Sequence, residues 1–216
     1  MPLPVTVYRV NMSYEVELKY TGVDFTDLRP RLHRLGGVSR GRHWERNIVF
    51  DTPQRDLKAT GRLLRLRSQQ WAQQYGRDRR CVLTLKVPPA QPVPDDVKVW
   101  DERETTVAGF DSMRGILEGL GYEAAFRYDK IREEWLCAGV TVCLDTLVFG
   151  DVVELEGERE AIFRLAEALG FSGCQATRAT YHDLNRQYRL TAGLPQDDNF
   201  HFPDDEAALS LLGSIA

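Results

Sequence analysis

Three observations predict an α+β fold built mainly from antiparallel strands. In Tyr14-Glu15-Val16-Glu17-Leu18-Lys19-Tyr20 a charge stands at every second position. Strand side chains alternate between faces, so Glu15, Glu17 and Lys19 line one face and Tyr14, Val16, Leu18 and Tyr20 the other. The alternation returns in later segments, which outnumber the helical ones and are spaced as in hairpins. No Pro/Gly/Ser linker divides the 216 residues into self-sufficient halves. One domain over residues 1–190 is expected, with 191–216 as a C-terminal tail.

The elements follow in order. Asp24 is a candidate N-cap for a helix that ends at Gly36-Gly37. Arg42 to Asp51 alternates Trp44, Arg46, Ile48 and Phe50 as a strand closed by Thr52-Pro53. Leu63 to Gln69 sets Leu64, Leu66 and Ser68 opposite Arg65, Arg67 and Gln69. A polar tip, Gln70 to Arg80, joins it to Cys81–Val87, where Leu83, Leu85 and Val87 oppose Thr84 and Lys86. Pro88 to Pro94 is a proline-rich loop. Val97 to Val107 is a strand that gathers Trp100, Glu102, Glu104 and Thr106, with Arg103 reversed. Met113, Ile116, Leu117 and Leu120 give a helix over Asp111 to Leu120, stopped by Gly121. Three strands follow: Tyr128 to Cys137, Val140 to Leu147 and Val152 to Gly157. Glu158 to Leu169 is a helix with Ile162, Phe163, Leu165, Ala166 and Leu169 on its apolar face. A short helix is expected over Tyr181 to Tyr188. The acidic tail carries one apolar patch, Ala207 to Leu212, that suits a short helix docked on the barrel near a mouth.

The charged strand faces form one set. Its acids are Glu15, Glu17, Glu102, Glu104, Asp145, Glu154 and Glu156; its bases are Lys19, Arg65, Arg67, Lys86, Lys130 and Arg132, with Arg178 arriving late in the chain. Val140, Val142 and Leu144 back Asp145, and Val153 and Leu155 back the two late glutamates. If those apolar faces pack under helices, the charges face inward. A charged interior is tolerable only when it is hydrated or compensated, which a barrel wide enough for water and ligand allows. Paired carboxylates are hard donors suited to Mg²⁺ or Mn²⁺, and arginines and lysines in number match polyphosphate oxygens. The pattern is that of a metal–triphosphate site.

Other chemistries lack their motifs. There is no GxxxxGK[ST] or GxGxxG loop. The four histidines are scattered without ligand spacing and read mostly as surface or helix-face residues. The four cysteines form no CxxC pair and read as buried thiols. A net charge of −4 gives no reason to expect nucleic acid or membrane partners. Met1-Pro2-Leu3-Pro4 opens neither a signal peptide nor a span, so a cytoplasmic protein, monomer or homodimer, is expected.

Glu15-Val16-Glu17-Leu18-Lys19 resembles the ExExK signature of the CYTH superfamily, the triphosphate tunnel metalloenzymes. Phe50-Asp51-Thr52-Pro53, Leu64-Arg65-Leu66-Arg67, Thr84-Leu85-Lys86, Glu102-Arg103-Glu104, Lys130-Ile131-Arg132, Leu144-Asp145 and Val153-Glu154-Leu155-Glu156 are similar, in order, to its later motifs. Arg178 stands before Thr180-Tyr181-His182-Asp183-Leu184 where relatives carry a basic residue, commonly lysine. The resemblance implies an eight-stranded antiparallel β-tunnel with helices packed outside. It implies hydrolysis of inorganic tripolyphosphate or thiamine triphosphate as small-molecule substrate, with Mg²⁺ or Mn²⁺ as cofactor. In that reading Glu15, Glu17, Glu102, Glu104, Asp145, Glu154 and Glu156 hold metal. Lys19, Arg65, Arg67, Lys86, Lys130 and Arg132 bind phosphate and act in catalysis, and Arg178 binds substrate. The alternatives are a class IV adenylyl cyclase making cyclic AMP from ATP and a non-catalytic polyphosphate- or nucleotide-binding module.

Overall fold

The computed structural model describes residues 13–171 and 175–213. The reading of the N-terminal tetrapeptide and of Cys174 therefore lies outside the described residues. Strand β1 is Ser13–Thr21, followed by α1 (Phe25–Arg34), β2 (Val38–Asp51), the single turn α2 (Asp56–Ala59), β3 (Leu63–Trp71), β4 (Arg80–Val87), β5 (Lys98–Val107) and α3 (Phe110–Gly119). Then come β6 (Glu123–Cys137), β7 (Val140–Leu147), β8 (Gly150–Glu156), α4 (Arg159–Ala168), β9 (Ala176–Thr177), α5 (Tyr181–Thr191) and α6 (Asp205–Gly213).

The strands run in the order β5-β4-β3-β2-β6-β7-β8-β1, and β1 pairs back onto β5. Every neighbour is antiparallel, so the sheet closes into an eight-stranded barrel with no open edge. The two-residue β9 pairs with Lys19 and Tyr20 of β1, beyond the stretch that β5 covers.

The alternation fixes what faces where. Leu18, Tyr20, Val142, Leu144, Val153 and Leu155 point outward into one core with Phe25, Leu28 and Leu32 of α1 and Ile162, Leu165 and Ala166 of α4. On the opposite wall, Ile48, Phe50 and Leu66 meet Leu117 of α3. The charged members of the same strands are thereby turned into the barrel.

Two strands are longer than their sequence pattern suggests. β2 begins at Val38 and β6 at Glu123, and they pair along most of their length with two register shifts. The early half of β6 lacks strict alternation; its partner, not its own pattern, makes it a strand. One shift falls at Gly41, whose φ of +113° would strain any other residue and where a Cβ would sit 3.2 Å from the Tyr75 ring.

The C-terminal segment lies along β6. Phe200 accepts from Asp129 N and donates to Arg127 O, each at 3.1 Å, and Asn199 Oδ1 accepts from Arg127 N at 2.9 Å. Helix α6 then covers the outer wall of β2 and β6, burying Ala208 and Leu212 against Trp44, Ile131 and Phe202. The apolar turn is thus docked on the barrel wall. Leu212→Ala is expected to lower stability by about 2–3 kcal/mol. A urea midpoint equal to wild type would show that α6 contributes nothing.

Candidate active site

The inward residues enclose a cavity of about 560 Å³. Around it Glu15, Glu17 and Lys19 come from β1, Arg65 and Arg67 from β3, Lys86 from β4, and Glu102 and Glu104 from β5. Lys130 and Arg132 come from β6, and Glu154 and Glu156 from β8. Asp145 of β7 lies just behind this lining, fully buried beneath Lys130 and Arg132. Arg178 stands apart: it is not in the cavity wall, and its guanidinium donates to the Asp95 carbonyl.

Charges inside are paired in a continuous network. Arg132 grips Asp145 with two nitrogens, at 2.7 and 2.6 Å, and reaches Glu154 at 2.9 Å and Glu156 at 3.5 Å. Lys19 sits between Glu17, 2.7 Å, and Glu154, 2.6 Å. Lys130 lies 3.1 Å from Asp145. On the other side Lys86 pairs with Glu15 and stands 3.5 Å from Glu102, and Arg65 is 3.6 Å from both Glu102 and Glu104. Buried pairs of this kind are held only by their mutual geometry, because each ion has given up its water.

The protonation states follow from the neighbours. Burial alone would raise Glu154, yet Lys19 and Arg132 outweigh it and hold the carboxyl well below the usual range. Glu156, two residues on, is pushed well above it by burial and by the charge of Glu154. Burial also pushes Glu102 up to about 7, aided by Glu15 and Glu104 and opposed by Lys86 and Arg65. Because that value lies above the ordinary 4.5, ionising Glu102 opposes folding. Its penalty is absent below the unfolded value and fully present once the pH has risen past the folded one. In metal-free protein this group makes stability fall between roughly pH 5 and 8, and Glu102→Gln is expected to flatten that fall. Urea midpoints with the same pH dependence in both proteins would refute the assignment.

Several site residues carry no charge alternation to reveal them. Glu45 of β2 is fully buried between Arg67, 3.1 Å, and Lys130, 3.5 Å. The β2 pattern draws the eye to its apolar face, and Glu45 sits on the other. His43, read as a surface or helix-face residue, is instead buried beside Glu45 at 3.0 Å inside the barrel. Lys98 adds a cation 3.2 Å from Glu17. Tyr181 enters from α5: Thr180 and Asp183 form a capping box that fixes the first turn of that helix. Its hydroxyl lies within hydrogen-bond reach of Asp145 and, at 2.9 Å, of Glu154, one proton shared between the two carboxylates, and its ring lies 5.0 Å from Lys19 Nζ and 4.9 Å from Lys130 Nζ. With Leu184 it packs on Leu147 and Val152, so the first turn of α5 is seated against β7 and β8 and lines the cavity.

Among the described residues no helix is long and apolar enough to cross a membrane. No three acidic, histidine or cysteine side chains among them are gathered into a ready metal cluster. The buried thiols Cys81, Cys137 and Cys143 are free.

The model of the CYTH domain matches residues 13–171. No curated protein matches the chain. Among solved structures it is similar to a candidate adenylate cyclase from Vibrio parahaemolyticus, with TM-score 0.67 and 24% identity over 78% of this chain and 95% of that one. It is similar to a protein from Pyrococcus horikoshii, with TM-score 0.64 and 24% identity over 79% and 97%. A candidate adenylyl cyclase from Hippeastrum with a dominant triphosphatase activity gives TM-score 0.53 and 20% identity over 88% and 100%. At these identities the structural likeness is one of fold. The family match runs from the first charged strand through α4, over the whole closed barrel, and this chain belongs to the CYTH domain family.

Proposed function

We propose that this protein is a divalent-metal-dependent triphosphatase that releases orthophosphate from inorganic tripolyphosphate or thiamine triphosphate inside the barrel. CYTH proteins are enzymes, triphosphatases or adenylyl cyclases. The observation that carries the reading is the convergence of seven cations, Lys19, Arg65, Arg67, Lys86, Lys98, Lys130 and Arg132, on one cavity. A ligand with many anionic oxygens would engage them together.

The donor set suits a metal. The seven predicted acids and Glu45 already outnumber those cations by one, and a triphosphate adds several negative charges. Glu154 and Glu156 crowd each other enough to push the second towards its neutral form. Hard carboxylate oxygens that repel one another are the donors a small divalent cation takes. Glu15, Glu17, Glu102, Glu104, Asp145, Glu154 and Glu156 would hold Mg²⁺ or Mn²⁺, which supplies charge neutralisation at the phosphates and a more acidic water.

The chain's own part is electrostatic. Lys19, Arg65, Arg67, Lys86, Lys130 and Arg132 bind the phosphate oxygens and stabilise charge as the terminal phosphoryl group departs. Arg132 is held by Asp145 through Nε and Nη2, which leaves Nη1, 3.5 Å from Glu156, as the end with donors to offer an incoming oxygen. Tyr181 adds a ring beside Lys19 and Lys130 and a hydroxyl beside Asp145 and Glu154. The deciding assay offers tripolyphosphate, thiamine triphosphate and ATP with Mg²⁺, Mn²⁺ or EDTA, and resolves orthophosphate from cyclic AMP. Metal-dependent orthophosphate is expected. Cyclic AMP as the main product from ATP would make the protein a cyclase, and binding without turnover would make it a binding module.

A further inference from the structure

The aromatic residues of the cavity wall beside α5 serve no step of the phosphate chemistry. Phe126 and Tyr128, two apart on β6, both face the cavity, and Phe200 from the C-terminal segment stacks on Tyr128 with ring centroids 5.0 Å apart and planes 21° from parallel. His182, in the first turn of α5, lies 5.0 Å from the Phe126 ring and pairs with Asp198 at 2.7 Å. Phe200 is almost wholly buried and backs the wall; Phe126 and His182 are its more open members. All of them line the cavity that holds the cations.

Tyr128 joins the two halves. Its ring belongs to the stack, and its hydroxyl accepts from Arg65 at 3.4 Å. A group carried on a triphosphate held by Arg65 would therefore meet this wall next. Aromatic faces bind flat rings by stacking whatever the ring's identity. Asp198 and His182 add an acceptor and a donor at the edge. Bare phosphate gains nothing from such a surface, because an anion against apolar rings loses water without replacement.

We propose that this wall is a subsite for a planar heteroaromatic group esterified to the triphosphate. The preferred substrates are then ring-bearing organic triphosphates rather than tripolyphosphate. The inference rests on the triphosphatase reading and narrows it. Asp198 and Phe200 lie outside residues 13–171, so the C-terminal segment supplies part of the selectivity to a barrel that carries the phosphate chemistry. Across the cavity Arg55, Lys58 and Arg62 of the β2–β3 connection offer a competing arrangement, one that would suit a longer phosphate chain.

The test compares kcat/KM for ATP, thiamine triphosphate, butyl triphosphate, tripolyphosphate and a long polyphosphate, in wild type and in Phe126→Ala and His182→Ala. Equilibrium binding of the same ligands is measured in parallel. Wild type is expected to prefer a ring-bearing ester to both butyl triphosphate and tripolyphosphate by about tenfold or more. Phe126→Ala is expected to lower that selectivity ratio about tenfold, chiefly through KM. If Phe126→Ala does not fold, Phe126→Leu keeps the volume and removes the π face. Selectivity unchanged in both variants, or a wild-type preference for tripolyphosphate or polyphosphate, overturns the inference while leaving the triphosphatase reading intact. Ring-dependent binding without hydrolysis keeps the subsite and removes the triphosphatase reading. Failure to bind any triphosphate overturns both.

Discussion

Arg132→Ala is expected to lower stability by about 3–5 kcal/mol and hydrolysis by about 10²–10³-fold. The guanidinium touches Asp145, Glu154 and Glu156 together and is itself more than nine-tenths buried. Removing it leaves Asp145 with Lys130 and the Tyr181 hydroxyl, in a position that water does not reach. Uncompensated buried carboxylate is the expensive outcome, more than the lost attraction itself. Arg132→Lys separates the two effects. A lysine restores one charge but has no fork for two carboxylate oxygens, so the variant is expected to fold nearly as well and still turn over slowly. Urea unfolding and steady-state release of orthophosphate check this directly. A lysine variant with wild-type turnover would show that Arg132 is a structural brace only.

The architecture was legible because alternation, the strongest signal in a strand, was carried by charges that had to go inside. Glu15, Glu17, Lys19, Arg65, Arg67, Glu154 and Glu156 each stand opposite an apolar residue, and the helices α1, α3 and α4 claim those apolar faces. Glu45 escaped because its own strand also alternates tryptophan, arginine and isoleucine, and nothing local says which face turns inward. Pairing across to Lys130 settles it. Tyr181 escaped for another reason: it belongs to a helix, and its reach into the barrel depends on where α5 docks. Arg178 shows the limit of carrying a motif over by position. Directly after β9, its side chain turns out to the Asp95 carbonyl, and a preserved charge does not preserve a direction.

The network also explains why metal and phosphate should depend on each other. Each carboxylate offered as a metal ligand is engaged by a cation offered to phosphate: Glu154 by Lys19, Asp145 by Arg132, Glu15 by Lys86. Phosphate that takes the lysines and arginines releases carboxylates that then repel one another. On the proposed triphosphatase reading, joint loading of anion and metal is therefore expected, with either alone held weakly.

Glu154→Gln and Glu156→Gln are each expected to reduce hydrolysis by about 10²-fold or more, yet to move stability in opposite directions. Glu154 accepts from Lys19, Arg132 and Tyr181, and its charge is held well below the usual carboxylate range. Such a depressed group stabilises the fold above its unfolded pKa and loses that contribution as the pH falls through the folded one. Glutamine removes it at neutral pH and leaves Lys19 with Glu17 alone, so Glu154→Gln should unfold earlier than wild type. Glu156 has the reverse sign. Burial and Glu154 push it up, so its ionisation opposes folding once the pH exceeds its folded value, and the penalty disappears below the unfolded one. Glutamine is neutral at every pH, and metal-free Glu156→Gln should be as stable as wild type or more so, with a flatter dependence on pH. Thermal melts in EDTA from acid to mildly alkaline pH, beside tripolyphosphate turnover in Mg²⁺ or Mn²⁺, read both effects. If Glu156→Gln is destabilised like Glu154→Gln, the two carboxylates share one structural role and the crowding that suits a divalent metal is not there. If it is stable and still hydrolyses tripolyphosphate at the wild-type rate, Glu156 is no metal ligand.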